Sequence, residues 1–525
     1  MIMNYLIQHM LLRSAERYPD KEALVDATQR LSYAKGVKQS GAIASGLRNV
    51  GVKRGDRVGI WLESSVLQAI SILGASQSGG VFVPINSLMF PDQAGHIMRD
   101  CETVGLITTK EKIALSAEVL GTIPSLQFVI AVDGRPECDL KIPLYLLSEI
   151  LFAEDRCVSR DLRIDKDLAA ILYTSGSTGK PKGVMLSHGQ IMAGSSIVSD
   201  YLGIRSSERI IGVLPLSFDA GLNQLMTAIQ QGGTFVPMTF TFAREIVKTL
   251  EREQITGMAG VPTLWSLLAQ PSSSLEKIAL PHLRYITNTG GRMPQAVLNT
   301  LRQALSTTRI FLMYGLTEAF RSTYLPPEEL DRRPDSMGKA IPNTEILVVN
   351  EKGERCVAGE IGELVHRGPT VSMGYWGQPD LTANVLRPHP FIRPELGDSE
   401  KVCYSGDLVK MDAEGFLYFI GRRDNMIKCS GYRVSPTEVE EVLFQSGKLR
   451  EAGVIGIPDP VLGQAIKAYV VPREGESVST EELVAHCAAK LPRYMVPKDI
   501  ELVKNLPKTS SGKVDYPSLR SAGNE

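Results

Sequence analysis

Tyr173-Thr174-Ser175-Gly176-Ser177-Thr178-Gly179-Lys180-Pro181-Lys182-Gly183 follows the apolar run Leu168–Leu172 and precedes Val184–Leu186. Those flanks predict a loop between two strands. Three glycines let backbone N–H groups turn toward an anion, and four hydroxyls with two lysines complete a cradle for polyphosphate. The stretch contains no Asp or Glu. It is not a Walker loop: Pro181 follows Lys180, and Thr174 takes the place of the first glycine. A flexible polar loop without a ligand is the bland alternative.

Working outward, short apolar runs alternate with helical periods. Arg209–Leu216, Thr234–Pro237, Leu283–Thr289 and Arg309–Tyr314 read as strands, and Leu222–Gln231, Phe242–Glu253 and Pro294–Leu305 as helices. That alternation predicts mostly parallel sheets with helices on both faces, an α/β fold. From Glu345 short strands with Gly turns predict a small β-rich subdomain over about 345–422. Ser435-Pro436-Thr437-Glu438 reads as a capping box with Pro at the first helical position, and Ser479 to Glu482 as a second helix start. Residues 1–422 then form a large N-terminal domain and 423–525 a small mobile α+β domain.

The 525 residues are 43% hydrophobic and 22% charged, enough apolar material for a large core. Lys and Arg number 57 against 58 Asp and Glu, so no global basic field exists to hold nucleic acid or an anionic membrane. Seven cysteines stand singly and seven histidines show no metal-ligand spacing, which reads as reduced, structural thiols and no zinc site. Met1–Leu12 reads as an amphipathic first helix instead of a signal peptide, and no run of 18 apolar residues occurs. The cytoplasm is the expected compartment.

The phosphate loop resembles the signature of the adenylate-forming superfamily: acyl-CoA synthetases, peptide-synthetase adenylation domains and firefly-type luciferases. Further segments follow in the order of that family. They are Thr289-Gly290-Gly291, Tyr314-Gly315-Leu316-Thr317-Glu318, Gly362-Glu363-Leu364 with Gly374-Tyr375, Tyr404-Ser405-Gly406-Asp407 and Gly421-Arg422-Arg423-Asp424. Lys428 with Gly431-Tyr432-Arg433, and Pro507-Lys508-Thr509-Ser510-Ser511-Gly512-Lys513, complete the series.

The resemblance implies activation of a carboxylic acid by ATP to an acyl-adenylate, with Mg2+ and release of pyrophosphate. Transfer to a thiol, CoA in the leading reading, then follows. It implies that Lys513 bridges carboxylate and α-phosphate, that Glu318 ligates Mg2+ and that Thr317 bonds the α-phosphate. Thr174, Ser175, Gly176, Ser177, Thr178, Gly179 and Lys182 would cradle the phosphates. Tyr314, Gly315, Gly290 and Gly291 would lie against adenine, and Asp407 with Arg422 would bind the ribose. Asp424 is the implied hinge, about which Lys428, Ser430 and Gly431 would replace Lys513 for the thiol step. Luciferase-type oxygenation would share the first half-reaction, and nothing in the chain specifically supports it.

Departures bear on the substrate. Where many fatty-acid and aryl-acid members carry a His, this chain has Ser217-Phe218-Asp219-Ala220-Gly221. Phe218-Asp219 resembles amino-acid-activating members, in which the aspartate pairs with an ammonium; a helix cap is the other reading of Asp219. Arg321 falls in the acyl-pocket lining, either to bind a second carboxylate or to pair with Asp219 or Glu318. Ser217–Gln224 and Tyr314–Pro327 resemble acyl-CoA ligases associated with exosortase gene clusters. Tyr516 stands where many relatives have Arg. Two further readings stand beside the CoA ligase: a stand-alone aminoacyl adenylation enzyme loading a carrier protein, and a non-catalytic nucleotide-binding protein on the same fold.

Overall fold

The structure, a computed structural model, describes residues 5–151, 163–175, 181–393, 395, 400–423, 425–429, 432–459, 462–509 and 512–523. Gly176, Ser177, Thr178, Gly179, Asp424, Ser430 and Gly431 lie outside these residues, and Ser175 and Lys428 are described by backbone alone.

A nine-stranded sheet has six parallel strands at its centre, in the order Arg309–Tyr314, Tyr285–Asn288, Gly257–Gly260, Arg209–Gly212, Thr234–Pro237 and Glu22–Val25. Antiparallel strands close both edges. An eight-stranded sheet runs parallel from Leu168–Ser175 through Val81–Pro84, Arg57–Trp61, Gly105–Thr108 and Phe128–Ala131 to Leu144–Leu146. Its other side is the antiparallel partner Pro181–Ser187, in register Thr174↔Lys182 and Ser175↔Pro181. The phosphate loop therefore joins two hairpin strands, as the flanking apolar runs require.

A third, antiparallel sheet gathers Glu345–Val349, Ile361–Arg367, Lys401–Met411, Leu386–Pro388 and Leu417–Arg422. The fourth holds Ile427–Cys429, Tyr432–Val434, Leu449–Asp459, Gly463–Pro472 and Asp499–Leu502 over its own core of Val439, Leu443, Val454, Ile466 and Val470. A large N-terminal domain thus carries a small C-terminal one.

The helix Asp219–Gln231 lies between the two large sheets. Leu222, Leu225, Met226 and Ile229 are fully buried there, each contributing about 1.5–3 kcal/mol of apolar burial. It starts directly beneath the preceding backbone, because a Cβ at Gly221 would stand 2.2 Å from the Pro215 carbonyl oxygen. Gly232, at φ 74°, ends it in the left-handed conformation. The helix begins three residues earlier than its apolar pattern suggests.

Two local expectations need correction. The helix Pro436–Phe444 does start after Ser435, but Ser435 makes no side-chain cap; its hydroxyl donates to the Ile420 carbonyl instead. Asp219 is no cap either: Phe218 holds the N-cap position and Asp219 is the first helical residue. Ser479 does cap the helix Thr480–Ala488, accepting from the Glu482 N–H at 3.1 Å. Among the described residues no helix is long and apolar enough to cross a membrane.

Candidate active site

Four neighbouring parallel strands, Arg209–Gly212, Gly257–Gly260, Tyr285–Asn288 and Arg309–Tyr314, end on the same edge of the nine-stranded sheet. Loops leaving the carboxyl ends of such strands are the usual place for a ligand. The first leads to Phe218 and Asp219, the second to Val261 and Thr263, the third to Thr289, Gly290 and Gly291. The fourth carries Gly315, Thr317, Glu318 and Arg321, and the Ser322 N–H closes it onto the Tyr314 carbonyl at 3.1 Å.

Lys513 arrives at this edge from the C-terminal domain. Its loop folds on itself, with the Gly512 N–H on the Thr509 carbonyl and the Lys513 N–H on Thr509 Oγ1 at 3.2 Å. Thr263 Oγ1 donates to the Gly512 carbonyl at 3.2 Å, tying the loop to the N-terminal domain. The ammonium lies 5.8 Å from the Phe218 ring centre. Gly290 has φ 80°, a conformation strained for any other residue, and a Cβ there would stand 3.0 Å from Lys513 Cε and push the lysine tip aside. Crowding lowers the Lys513 pKa; Asp219, Asp407 and Glu318 pull it back while Arg422 adds to the fall. Lys513 nonetheless keeps exposed surface, and solvent screening moderates both effects.

On one side of Lys513, Asp407 accepts the Tyr314 hydroxyl and faces Arg422 Nη1 at 3.1 Å. Burial raises its pKa, and Arg422, Tyr314 and Lys513 oppose the rise. Register Asp407↔Arg422 puts the two residues opposite each other on neighbouring strands. Glu318 accepts the Tyr375 hydroxyl at 2.6 Å, and its carbonyl accepts the Ser372 N–H. Tyr375, whose place in the Gly374-Tyr375 motif gave no hint of this role, is drawn in because its strand pairs with the phosphate hairpin at Tyr375↔Val184.

On the other side, Arg321 Nη1 lies 3.6 Å from Asp219 Oδ2 and 3.4 Å from Thr289 Oγ1. The internal pair weighed for Arg321 therefore forms with Asp219, while Glu318 is held by Tyr375. Tyr516 has a partner too: its hydroxyl donates to Glu440 Oε1 at 2.7 Å, which also accepts the Val454 N–H at 2.8 Å. Burial pushes the Glu440 carboxyl up to about 7. The neighbouring Glu441 lies 3.7 Å from Arg292 of the N-terminal domain. The helix Pro436–Phe444 thus contacts both the arm following Lys513 and the Gly290-Gly291 loop. No sequence motif marks Glu440.

Residues 11–376 match the model of the AMP-binding enzyme family, and 438–513 that of its C-terminal domain. The chain belongs to the AMP-binding enzyme family. It is 30% identical to the feruloyl-CoA synthase of an Amycolatopsis species over 96% of each chain. It is 32% identical over 99% of its length to the Delta-poly-L-ornithine synthetase of Acinetobacter baumannii, spanning only 37% of that protein. Among solved structures, the anthranilate CoA ligase AuaEII with anthranoyl-AMP superposes with a TM-score of 0.89 at 26% identity, covering 100% of this chain and 98% of that one. The chain is thus a member of the AMP-binding family among acyl-CoA ligases, a class that works with ATP, Mg2+ and CoA.

Proposed function

We propose that the chain is an AMP-forming acid–thiol ligase using CoA. The observation that carries this reading is the seat of Lys513, delivered by the C-terminal domain to Phe218 and Gly290 and tied there through Thr263 and Gly512, within electrostatic reach of Asp219 and Asp407. In the first step a carboxylate oxygen of the acid bonds to the α-phosphorus of ATP, and the bond to the bridging oxygen breaks to release pyrophosphate. Two anions must approach each other, so the Lys513 ammonium supplies the compensating charge between them. Thr317, 8% exposed at the turn after Tyr314, offers a hydroxyl to the α-phosphate. Thr174 and Lys182, opposite each other at the mouth of the hairpin, begin the phosphate cradle with Ser175, Gly176, Ser177, Thr178 and Gly179.

Asp407 and Arg422 receive the ribose, and the Tyr314 ring the adenine. Asp407 Oδ1 is held by the Arg422 ion pair at 3.1 Å, which keeps the carboxylate and guanidinium side by side for the ribose hydroxyls. Glu318 keeps one carboxylate oxygen beyond that held by Tyr375, and no cluster of three metal-ligating side chains occurs among the described residues. A single carboxylate completed by phosphate oxygens and water suits Mg2+. When bound, Mg2+ would offset phosphate charge.

In the second step the CoA sulfur bonds to the acyl carbon and the carbon–oxygen bond to AMP breaks. We assign this step to a rotated C-terminal domain, hinged at Asp424, that withdraws Lys513 and brings in Lys428, Ser430 and Gly431. Carrier-protein loading of an amino acid is the weaker reading, since Arg321 already stands beside the carboxylate that would anchor the amine. The test is acid-dependent exchange of labelled pyrophosphate into ATP, followed by mass detection of the product with CoA present. AMP and an acyl-CoA formed in equal amounts support the reading; formation of ADP, or ATP binding without exchange for any acid, would refute it.

A further inference from the structure

The acyl side of Lys513 is polar, buried and short of partners. Arg321, 4% exposed, makes one hydrogen bond at 3.4 Å and one ion pair at 3.6 Å, and its Nε has no partner among the described residues. A separation of 3.6 Å lies beyond hydrogen-bond reach, so the Asp219 carboxylate and the guanidinium compensate each other's charge while keeping bonding capacity. One turn along the same helix, Asn223 is 2% exposed, and neither its Nδ2 nor Gln224 Oε1 has a partner among the described residues. Beside Thr289, Asn288 gives Nδ2 to the Gly291 carbonyl at 2.8 Å, and its Oδ1 has no partner among the described residues.

Buried polar groups without partners are uncommon and costly, so the capacity left on Arg321 and Asp219, the latter acting on Lys513, points to a ligand that uses it. Resting on the acid-activating reading above, we infer that the substrate is a carboxylic acid bearing an uncharged hydrogen-bonding substituent, a hydroxyl or a carboxamide. Such a group donates to Asp219 and accepts from Arg321 without separating them. An ammonium or a second carboxylate must instead displace a counter-ion already in place. A plain alkyl chain leaves the guanidinium and the amides unpaired.

Non-hydrolysable acylsulfamoyl adenosines test this by calorimetry without turnover. Analogues of one chain length carry hydrogen, hydroxyl, carboxamide, ammonium or carboxylate at successive carbons, with sulfamoyl adenosine as the reference. The best hydroxyl or carboxamide analogue binds about tenfold or more tighter than its plain counterpart, the value of one buried hydrogen bond. The doubly neutral variant Asp219→Asn/Arg321→Met loses that preference, binding the plain and the polar analogues with equal affinity, while a wild-type circular-dichroism spectrum shows that it is folded. A preference that survives in the folded variant overturns the inference. Plain, ammonium or carboxylate analogues binding as tightly as the best neutral polar one overturn the inference and leave the ligase reading standing. Failure of sulfamoyl adenosine itself to bind the wild type overturns both.

Discussion

Asp407 and Asp219 flank the same lysine and are equally buried, at 5% exposure, yet their surroundings differ. Asp407 accepts the Tyr314 hydroxyl and meets Arg422 at 3.1 Å from the opposite strand. Asp219 faces Arg321 at 3.6 Å, and its carboxylate accepts no hydrogen bond from the described residues. The side proposed for the nucleotide is held by its neighbours in one arrangement, which suits a ligand that every turnover would share. The acyl side holds its charges in balance and leaves hydrogen-bonding capacity for one acid. On the proposed assignment, nucleotide recognition rests on residues fixed by neighbouring strands, and acid selection on single side chains from separate loops.

Asp407→Asn should have the largest effect on this comparison. It removes the charged acceptor proposed for the ribose and its ion pair with Arg422, so AMP binding measured by calorimetry should weaken about a hundredfold. An unchanged affinity would place the ribose elsewhere. On the acyl side, Asp219→Asn and Arg321→Met should each destabilise the chain more than the double variant does. Urea titration should give a coupling of about 1–3 kcal/mol, whereas additivity would mean that the pair does not compensate its charges.

These two sides were unequally legible in the sequence. The phosphate hairpin and the Tyr314, Asp407 and Arg422 segments each pack several functional residues into one stretch, so order along the chain revealed them. The Asp219–Arg321 pair joins residues about a hundred apart, and only the parallel order of the strands ending at Gly212, Asn288 and Tyr314 brings their loops together. Both readings of Arg321, ligand binding and internal pairing, were open until that order was known. Gly221 hid the true helix start, because its requirement lies in contact with the Pro215 carbonyl and not in the apolar period. Ser435 followed the capping pattern, but a neighbouring strand offered its hydroxyl the Ile420 carbonyl instead.

The C-terminal domain supplies a pH-dependent test away from this pair. Glu440 has its folded pKa raised to about 7 from 4.5, so its contribution to stability is full below 4.5 and is lost as pH rises through 7. The full change amounts to about 3 kcal/mol. Hydrogen exchange in Pro436–Phe444, corrected for intrinsic rates, should show weaker protection at pH 8 than at pH 5.5. Glu440→Gln should flatten the trend; an equally steep trend in the variant would assign it to another group. Smallest of all, Tyr375→Phe removes one hydrogen bond from Glu318, worth about 1 kcal/mol, and should raise the Mg2+ concentration needed for half-maximal exchange several-fold.

The seat of Lys513 is the claim on which the rest depends. Pyrophosphate exchange and thioester formation from supplied acyl-adenylate, measured side by side on Lys513→Ala, test it most directly. Exchange should fall by about 10²–10³-fold or more while thioester formation stays near the wild-type rate. Equal loss of both steps, or exchange that survives the substitution, would contradict it.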